Sequence, residues 1–182
     1  MELVLRPWTI DDAAALHTAV ATSPDLLDQL GDADLHSDAA CAAHLERGWA
    51  SAADDRVDRA ICVDGVAVGH IGLSHLEYRN DTAWVSYWVA TGFRRRGLAS
   101  AALTAMAAYG FDDLDLYRLE LGHRVDNLGS CRVATNAGFA VEGIERSKLR
   151  YGDLRFDTET HARLASDPVP RRPSAAQPSQ PV

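Results

Sequence analysis

The sequence predicts a mixed α/β fold in which a mostly antiparallel sheet of six to seven strands carries helices on both faces. Residues 59–90 contain three apolar runs joined by turn signals, a pattern typical of antiparallel hairpins. After this antiparallel run the patterns continue as strand, helix, strand, helix and strand, which favours a mixed sheet. The composition, 47% hydrophobic and 24% charged, is that of an ordinary globular protein.

One domain is expected over residues 1–166, because 182 residues suit a single hydrophobic core. Residues 167–182 form a separate tail in this prediction. Residues 168–182 hold five of the chain's seven prolines and almost no bulky apolar side chain. Such a composition predicts disorder.

The first half of the chain is expected to contain a short strand, three helices and three further strands. The first strand, Leu3–Leu5, is ended by Pro7, because proline cannot donate a ladder hydrogen bond. Each helix begins at a capping signal. The predicted helices run from Thr9 to Val20, from Ser23 to Gly31 and from Ser37 to about Ala52. The predicted strands are residues 59–63, 66–76 and 82–90, the first two joined by a two-residue turn at residues 64–65.

A strand, a basic turn and a helix between Tyr87 and Tyr109 organise the rest of the fold. Residues 87–89 are aromatic or β-branched, and the residues after Gly97 place apolar side chains on one helical stripe. The first N–H groups of such a helix have no intrahelical partner, and Gly97 has no Cβ to keep a ligand away. With the arginines of residues 94–96, the turn can therefore bind an anion such as a diphosphate. A solvated arginine run beside an ordinary helix start is the alternative.

The second half contains a second motif, "NLGSCRVATNAGFAVEG", from Asn127 to Gly143. Asn127 and Ser130 share one face of a helix that Gly138 ends. Asn127 also fits an ordinary N-cap, and Ser130 an ordinary solvent-facing residue, so both interpretations stay open. The flanking strands are predicted at residues 117–123, 139–146 and 156–164, with a turn at residues 151–153.

The two motifs together, R-x-x-G-x-A at residues 94–99 and NxxS…AGFxxEG at residues 127–143, resemble the GNAT superfamily of acetyl-CoA-dependent N-acetyltransferases. Within it, "SYWV", "YRLEL" and "YGDLRFD" are similar to the ribosomal-protein N-terminal acetyltransferase (Rim) branch, and the resemblance extends from about Leu3 to Leu164. It implies an enzyme that transfers an acetyl group from acetyl-CoA to a primary amine. It also implies that the strand at residues 88–90 splays from the next parallel strand at residues 119–122.

The resemblance further implies a set of residues that bind acetyl-CoA. The turn would hold the diphosphate, and the pantetheine arm would pair with the exposed strand edge. The implied cofactor-binding residues are Trp88, Val89, Ala90, Arg94, Arg95, Arg96, Gly97, Leu98, Ala99, Asn127 and Ser130. Ser130 would also be catalytic, donating to the leaving thiolate, and a backbone N–H near Val89 would bind the oxyanion.

The general base departs from the family pattern. Many Rim-type enzymes carry a glutamate where this chain has Trp84, and an indole ring cannot take a proton. His75 and Glu77 are the candidates in its place, and for each an ordinary surface strand residue is the alternative. Tyr87, His70 and a chain of waters are further candidates.

Charge, cysteines and histidines exclude several classes of function. A net charge of −8 disfavours nucleic-acid binding, and no apolar run is long enough to span a membrane. The acidic first 60 residues either attract a cationic acceptor or form a solvated face. Three widely spaced cysteines are expected to be reduced thiols in the cytoplasm, and seven histidines without metal-binding spacing predict that no metal is bound.

The acceptor predicted from the resemblance is the N-terminal α-amine of a protein or peptide. Small amines such as aminoglycosides, polyamines or amino-acid conjugates are the alternative acceptors, because a fold does not fix a substrate. A different class of function, a coenzyme A binding module with little catalysis, also fits the missing base. The sequence leaves open whether the acyl group is acetyl or longer, and whether the protein is a homodimer.

Overall fold

A computed structural model describes residues 2–31 and 33–170. The strands are β1 (Leu3–Arg6), β2 (Arg56–Val63), β3 (Val66–Glu77), β4 (Thr82–Val89), β5 (Arg118–Arg124), β6 (Ala140–Tyr151) and β7 (Leu154–Leu164). The helices are α1 (Ala13–Ala21), α2 (Asp25–Leu30), α3 (Asp38–Arg47), α4 (Leu98–Asp112) and α5 (Leu128–Asn136). Short 3-10 turns occupy Ile10–Asp12 and Thr91–Phe93. Most of the predicted tail, from residue 171 onward, lies outside the described residues.

The described strands form one seven-stranded sheet in the order β1-β2-β3-β4-β5-β7-β6. Every neighbouring pair is antiparallel except β4 and β5, which are parallel and joined through α4. This architecture confirms the predicted mixed and mostly antiparallel sheet. Strand β6 lies at the edge of the sheet, and β7, which follows it in the chain, lies between β5 and β6.

Helices lie on both faces of the sheet, as predicted, but they bury two separate hydrophobic cores rather than the single core expected from the chain length. Helices α4 and α5 cover one face, where the largest fully buried side chains include Leu73, Leu103 and Phe139. Helices α1, α2 and α3 cover the other face around Trp8 and Leu45. Strand β3 contributes to both cores, because alternate residues of a strand point to opposite faces. None of the helices in the described part of the chain is long and apolar enough to cross a membrane.

Several helix ends follow the predicted capping signals. The Ser37 hydroxyl accepts a hydrogen bond from the Ala40 amide at 3.1 Å, and α2 ends at Gly31, whose φ is 66°. Helix α3 stops at Arg47 rather than near Ala52, because Gly48 leaves the helical conformation. Strand β6 is five residues longer than predicted at its far end, since it continues past an irregularity at Ser147.

A buried histidine, His70, lies in a cluster of three tryptophans between β3 and the α1–α3 layer. The indole Nε1 of Trp8 donates to Nδ1 of His70 at 3.1 Å, and the Trp49 ring stacks on the imidazole with centroids 4.1 Å apart. Nδ1 is thus an acceptor, so the neutral ring carries its hydrogen on Nε2. Burial, with a smaller contribution from neighbouring His44, lowers the pKa of His70 to about 3.

We expect the wild-type protein to lose stability relative to His70→Gln as the pH falls. The pKa of His70 is about 3 in the folded protein, below its value in the unfolded chain. The neutral imidazole therefore stabilises the fold fully above the unfolded pKa, and this stabilisation is lost as the pH falls towards 3. Between pH 7 and 5 the difference in unfolding free energy should change by about 2 kcal/mol. Glutamine keeps a hydrogen-bond acceptor for Trp8 but does not titrate. The neighbouring titratable groups Asp58 and His44 are present in both proteins, so the comparison isolates the titration of His70. Urea unfolding at several pH values measures the effect, and a pH-independent difference would contradict it.

Candidate active site

Strands β4 and β5 separate part-way along their length. They pair only over Thr82–Trp84 against Arg118–Glu120 and then diverge. The predicted splay is confirmed, although it begins earlier: the residues that face Val85–Val89 across the gap are 121–124 rather than 119–122. On the other side of β4 the Ala90 N–H donates to the Val68 carbonyl at 2.9 Å. Because backbone groups alternate along a strand, the N–H groups of Val85, Tyr87 and Val89 point into the gap.

The basic turn at the end of β4 exposes the start of α4. Gly97 is the N-cap residue and has a left-handed φ of 78°, and Arg95 also has a positive φ, 60°. The first helical bond runs from the Ala101 N–H to the Gly97 carbonyl at 3.0 Å. The amides of residues 98–100 therefore precede the hydrogen-bonded part of a 15-residue helix. These amides and the positive end of the helix dipole have the geometry that the predicted anion site requires.

A cavity of about 610 Å³, here called the turn cavity, runs from this turn to α5. Its walls include nine of the predicted cofactor-binding residues: Trp88, Val89, Arg94, Arg95, Gly97, Leu98, Ala99, Asn127 and Ser130. Two predicted residues do not line it. Ala90 is buried, with its N–H bonded to β3, and Arg96 donates to the Gly92 carbonyl at 2.8 Å. Direct contact with a ligand in this cavity is therefore not supported for these two.

Arg94 positions the turn. Its Nε donates to the Val89 carbonyl at 2.8 Å, and its guanidinium pairs with Asp25 of α2 at 2.8 Å. The side chain thus ties the turn to the last residue of β4 and to the helical layer. Arg95, which is exposed and lines the turn cavity, is the better placed of the two to meet an anion.

A second cavity of about 470 Å³, here called the strand cavity, occupies the gap between β4 and β5. Trp84 lines it and packs against Gly122, where an added Cβ would lie 3.2 Å from the indole. The two cavities share five residues, Asp25, Gln29, Tyr87, Asn127 and Ser130. A ligand in one cavity can therefore meet a ligand in the other at this junction.

Polar groups from β4 and α5 meet at the junction. The Asn127 side chain accepts from the Ser130 amide at 3.1 Å, which confirms the N-cap interpretation. The Tyr87 hydroxyl donates to the Ser130 carbonyl at 3.3 Å. Burial raises the pKa of Tyr87 to about 12, so the phenol stays protonated at neutral pH. The sequence suggested Tyr87 only as a base, whereas in the structure its protonated hydroxyl donates a hydrogen bond to α5.

The predicted bases His75 and Glu77 lie away from both cavities. Glu77 caps the β3–β4 turn, where its carboxylate accepts from the amides of Arg79 and Asn80 at 2.7 and 3.1 Å. It pairs with the first residue of β4, so about 16 Å of strand separates it from Tyr87. His75 is exposed at an irregularity in β3, with Nδ1 3.1 Å from the Ser74 hydroxyl. Their positions correct the expectation that one of them takes the amine proton.

Comparison with known proteins agrees with this geometry. A family model described as "Acetyltransferase (GNAT) domain" matches residues 2–140. The chain is 31% identical to YdaF of Bacillus subtilis (strain 168) over 101 residues, 56% of this chain and 55% of that protein. It is 31% identical over 97 residues to the ribosomal-protein-serine acetyltransferase of Escherichia coli (strain K12), 53% of this chain and 54% of that one. The match thus spans little more than half the length of these relatives.

Among solved structures, RimJ of Mycobacterium smegmatis in complex with a coenzyme A disulfide has the same fold, with a TM-score of 0.77 and 25% identity. The alignment covers 90% of this chain and 82% of that one. The family model covers well over half of the sequence, and the splayed strands and glycine-started helix lie within it. The chain belongs to the GNAT acetyltransferase family.

Proposed function

We propose that the protein is an acetyl-CoA-dependent N-acetyltransferase whose acceptor is the α-amine at the N-terminus of a protein or peptide. The observation that carries the proposal is the open edge of β4, which leads from the helix start at Gly97 to the junction of the two cavities. The name of the E. coli relative, a ribosomal-protein-serine acetyltransferase, supports a protein acceptor, and the RimJ complex with a coenzyme A disulfide supports the coenzyme site. A cytoplasmic location is part of the proposal, since Cys41, Cys62 and Cys131 are free thiols.

The coenzyme would occupy the turn cavity. Its diphosphate would accept hydrogen bonds from the amides of residues 98–100, with Arg95 adding positive charge. The pantetheine arm, itself a chain of amides, would pair with the backbone groups of Val85, Tyr87 and Val89 as an added strand does. This placement brings the thioester to Tyr87 and Ser130.

The proposed reaction is direct transfer. A neutral amine entering through the strand cavity attacks the thioester carbonyl, forming the C–N bond, and a strand N–H near Val89 stabilises the oxyanion. The intermediate then collapses as the C–S bond breaks. The leaving thiolate takes a proton from the Ser130 or Tyr87 hydroxyl, the nitrogen loses its extra proton to water, and water restores the hydroxyl. The products are the amide and free coenzyme A.

The strand cavity favours an acceptor that needs no protein base, because His123, which lines it, directs Nδ1 to the Arg124 carbonyl and Nε2 to His161. Both carboxylates among its described lining residues are paired with arginine, Asp25 with Arg94 and Asp126 with Arg124. Trp84 occupies the position of the family's glutamate. An α-amine is about one-tenth neutral at pH 7, whereas a lysine ε-amine is neutral at only about 1 part in 2,500. Without a dedicated base, α-amines should react faster.

Ser130→Ala is expected to lower kcat about 10-fold or more while leaving KM for acetyl-CoA within about twofold, because a proton donor acts on the transition state. Steady-state kinetics with an N-terminal peptide measures both constants. Thr135→Ala is the matched control, since it removes an exposed hydroxyl of the same helix that lines neither cavity. It should leave kcat unchanged, and an equal fall in kcat for the two variants would contradict the role of Ser130.

A coenzyme-binding module with little catalysis is the second candidate, and Trp84 in place of a base is the observation that favours it. Calorimetry combined with product mass spectrometry separates the two functions. Acetylated product with any amine supports the enzyme. Micromolar binding of acetyl-CoA without product across peptides and small amines would support the module, and no binding at all would exclude both.

A further inference from the structure

Four side chains with metal-ligating atoms converge where α5 packs against β5 and β7. They are His123 on β5, Cys131 on α5, and Glu159 and His161 on β7. One ligand atom from each lies within 4.8 Å of every other. Both imidazoles are buried, with 6% of His123 and 1% of His161 exposed. No step of the proposed transfer reaction uses this cluster.

The hydrogen bonds of the two histidines fix the direction of their lone pairs. Nδ1 of His123 lies 2.8 Å from the Arg124 carbonyl, and Nδ1 of His161 lies 3.3 Å from the Phe139 carbonyl. A carbonyl only accepts hydrogen bonds, so both Nδ1 atoms carry hydrogen. In a neutral imidazole the other nitrogen, Nε2, then holds an outward lone pair.

These lone pairs point at one another. The two Nε2 atoms are 3.0 Å apart, and a carboxylate oxygen of Glu159 lies 3.0 Å from one and 3.4 Å from the other. The two Nε2 atoms and the carboxylate oxygen are therefore three hydrogen-bond acceptors around one point, and none of the three carries a hydrogen. Acceptors held this close, with the two imidazoles buried and Glu159 partly exposed, repel each other unless a proton or a metal cation lies among them. A single proton can bridge only one pair, whereas a metal ion satisfies every acceptor.

The spacing suits a tetrahedral ion. Ligand bonds of about 2.0–2.3 Å place the ligand atoms of tetrahedral zinc about 3.3–3.8 Å apart. The distances in the cluster, from 3.0 Å to the 4.8 Å limit, need adjustments of about an ångström or less. The carbonyls on Nδ1 also match the second-shell partners that orient ligating histidines.

We propose that His123, Cys131, Glu159 and His161 bind a zinc ion. Two imidazole nitrogens, a thiolate and a carboxylate form a mixed ligand set that suits zinc, whereas magnesium and calcium prefer oxygen alone. Four protein ligands leave no open coordination position, so the ion is structural. It joins α5 to β5 and β7, next to Ser130, and thus holds the junction of the two cavities in place.

A zinc ion here would differ from the expectation of a protein without metal, and the site does not depend on the proposed function. The expectation rested on local spacing motifs, but these ligands come from three separate elements. The register pairs His123 with Glu159, and His161 lies two residues further on the same face of β7. Glu159-x-His161 was the one local signal in the sequence.

Cobalt(II) titration of the full chain, monitored by absorption, tests the site. The wild-type protein should bind one cobalt ion per chain with a thiolate charge-transfer band and the strong visible bands of a tetrahedral ion, and zinc should displace it. Cys131→Ser should lose the charge-transfer band and bind zinc at least about 100-fold more weakly. Cys62→Ala, which changes a buried cysteine of β2 outside the cluster, should retain both the band and the affinity.

The wild-type titration decides the proposal even if Cys131→Ser folds poorly. Absence of the charge-transfer band in the wild-type protein overturns the site, and so does equal zinc affinity in the wild type and a folded Cys131→Ser. A melting temperature that falls on removal of zinc from the wild type, but not from Cys131→Ser, supports the structural role. A wild-type melting temperature unchanged by removal of bound zinc overturns that role.

Discussion

Replacing Gly97 with valine is expected to weaken acetyl-CoA binding by at least about 100-fold. Gly97 has a φ of 78°, and a β-branched residue held there costs about 1–2 kcal/mol. Relaxing that strain turns the first amides of α4 away from the diphosphate, and each hydrogen bond to a charged group contributes about 1.5–3 kcal/mol. Together these losses exceed the roughly 2.7 kcal/mol that correspond to 100-fold. Calorimetry with acetyl-CoA measures the change directly.

Gly92→Val provides a matched control in the same turn. Gly92 has no positive φ, and nothing lies within 4 Å of the position that an added Cβ would take. The same side chain added there should change coenzyme affinity by less than about threefold. Equal weakening in the two variants would show that the turn as a whole, rather than the helix start at Gly97, determines binding. Unchanged affinity in Gly97→Val would remove the proposed diphosphate site.

A peptide with a free α-amine is expected to be acetylated on the order of 10² times more efficiently at pH 7 than a peptide whose only amine is a lysine side chain. The ratio reflects the neutral fractions of the two amines, whose pKa values in peptides differ by more than two units. It arises because the carboxylates of the strand cavity are occupied by arginines. Product mass spectrometry with the free peptide and an N-terminally blocked, lysine-containing peptide gives the two values of kcat/KM.

The pH profile distinguishes this account from one with a protein base. With no such base, kcat/KM for each acceptor should rise tenfold per pH unit until the pKa of that acceptor is reached. An inflection at one pH shared by acceptors of different pKa would contradict the account. Trp84→Glu should restore the missing carboxylate and raise activity on the lysine peptide at least about 10-fold.

The fold was predictable because its signals are local. The hairpin turn at residues 64–65, the stop at Gly31 and the cap at Ser37 each act through a few neighbouring residues, and each was confirmed. The ends of α3 and β6 were not, because Gly48 interrupts an otherwise helical pattern and β6 continues through an irregularity. Such ends depend on pairing with distant residues.

The site was predictable where it consists of backbone and unpredictable where it depends on side chains from distant elements. A glycine before a helix indicates exposed amides at the helix start, so a ligand-binding turn around Gly97 could be predicted. The position of Glu77 depends on which end of a hairpin faces the gap, and Tyr87 meets Ser130, 43 positions further along the chain, only in the folded protein. The sequence did not indicate the proposed zinc ligands for the same reason, since strand register brings them together.

The interior place of β7 has a consequence for how the protein is made. A ribosome finishes β6 before β7, yet β7 is the strand that joins β6 to β5. A nascent chain halted before Leu154 would expose a bare edge of β5 and lack Glu159 and His161, two of the four proposed zinc ligands. The proposed metal site and the last sheet pairings can therefore form only after β7 has been synthesised, so the junction of the two cavities is among the last parts of the domain to be completed.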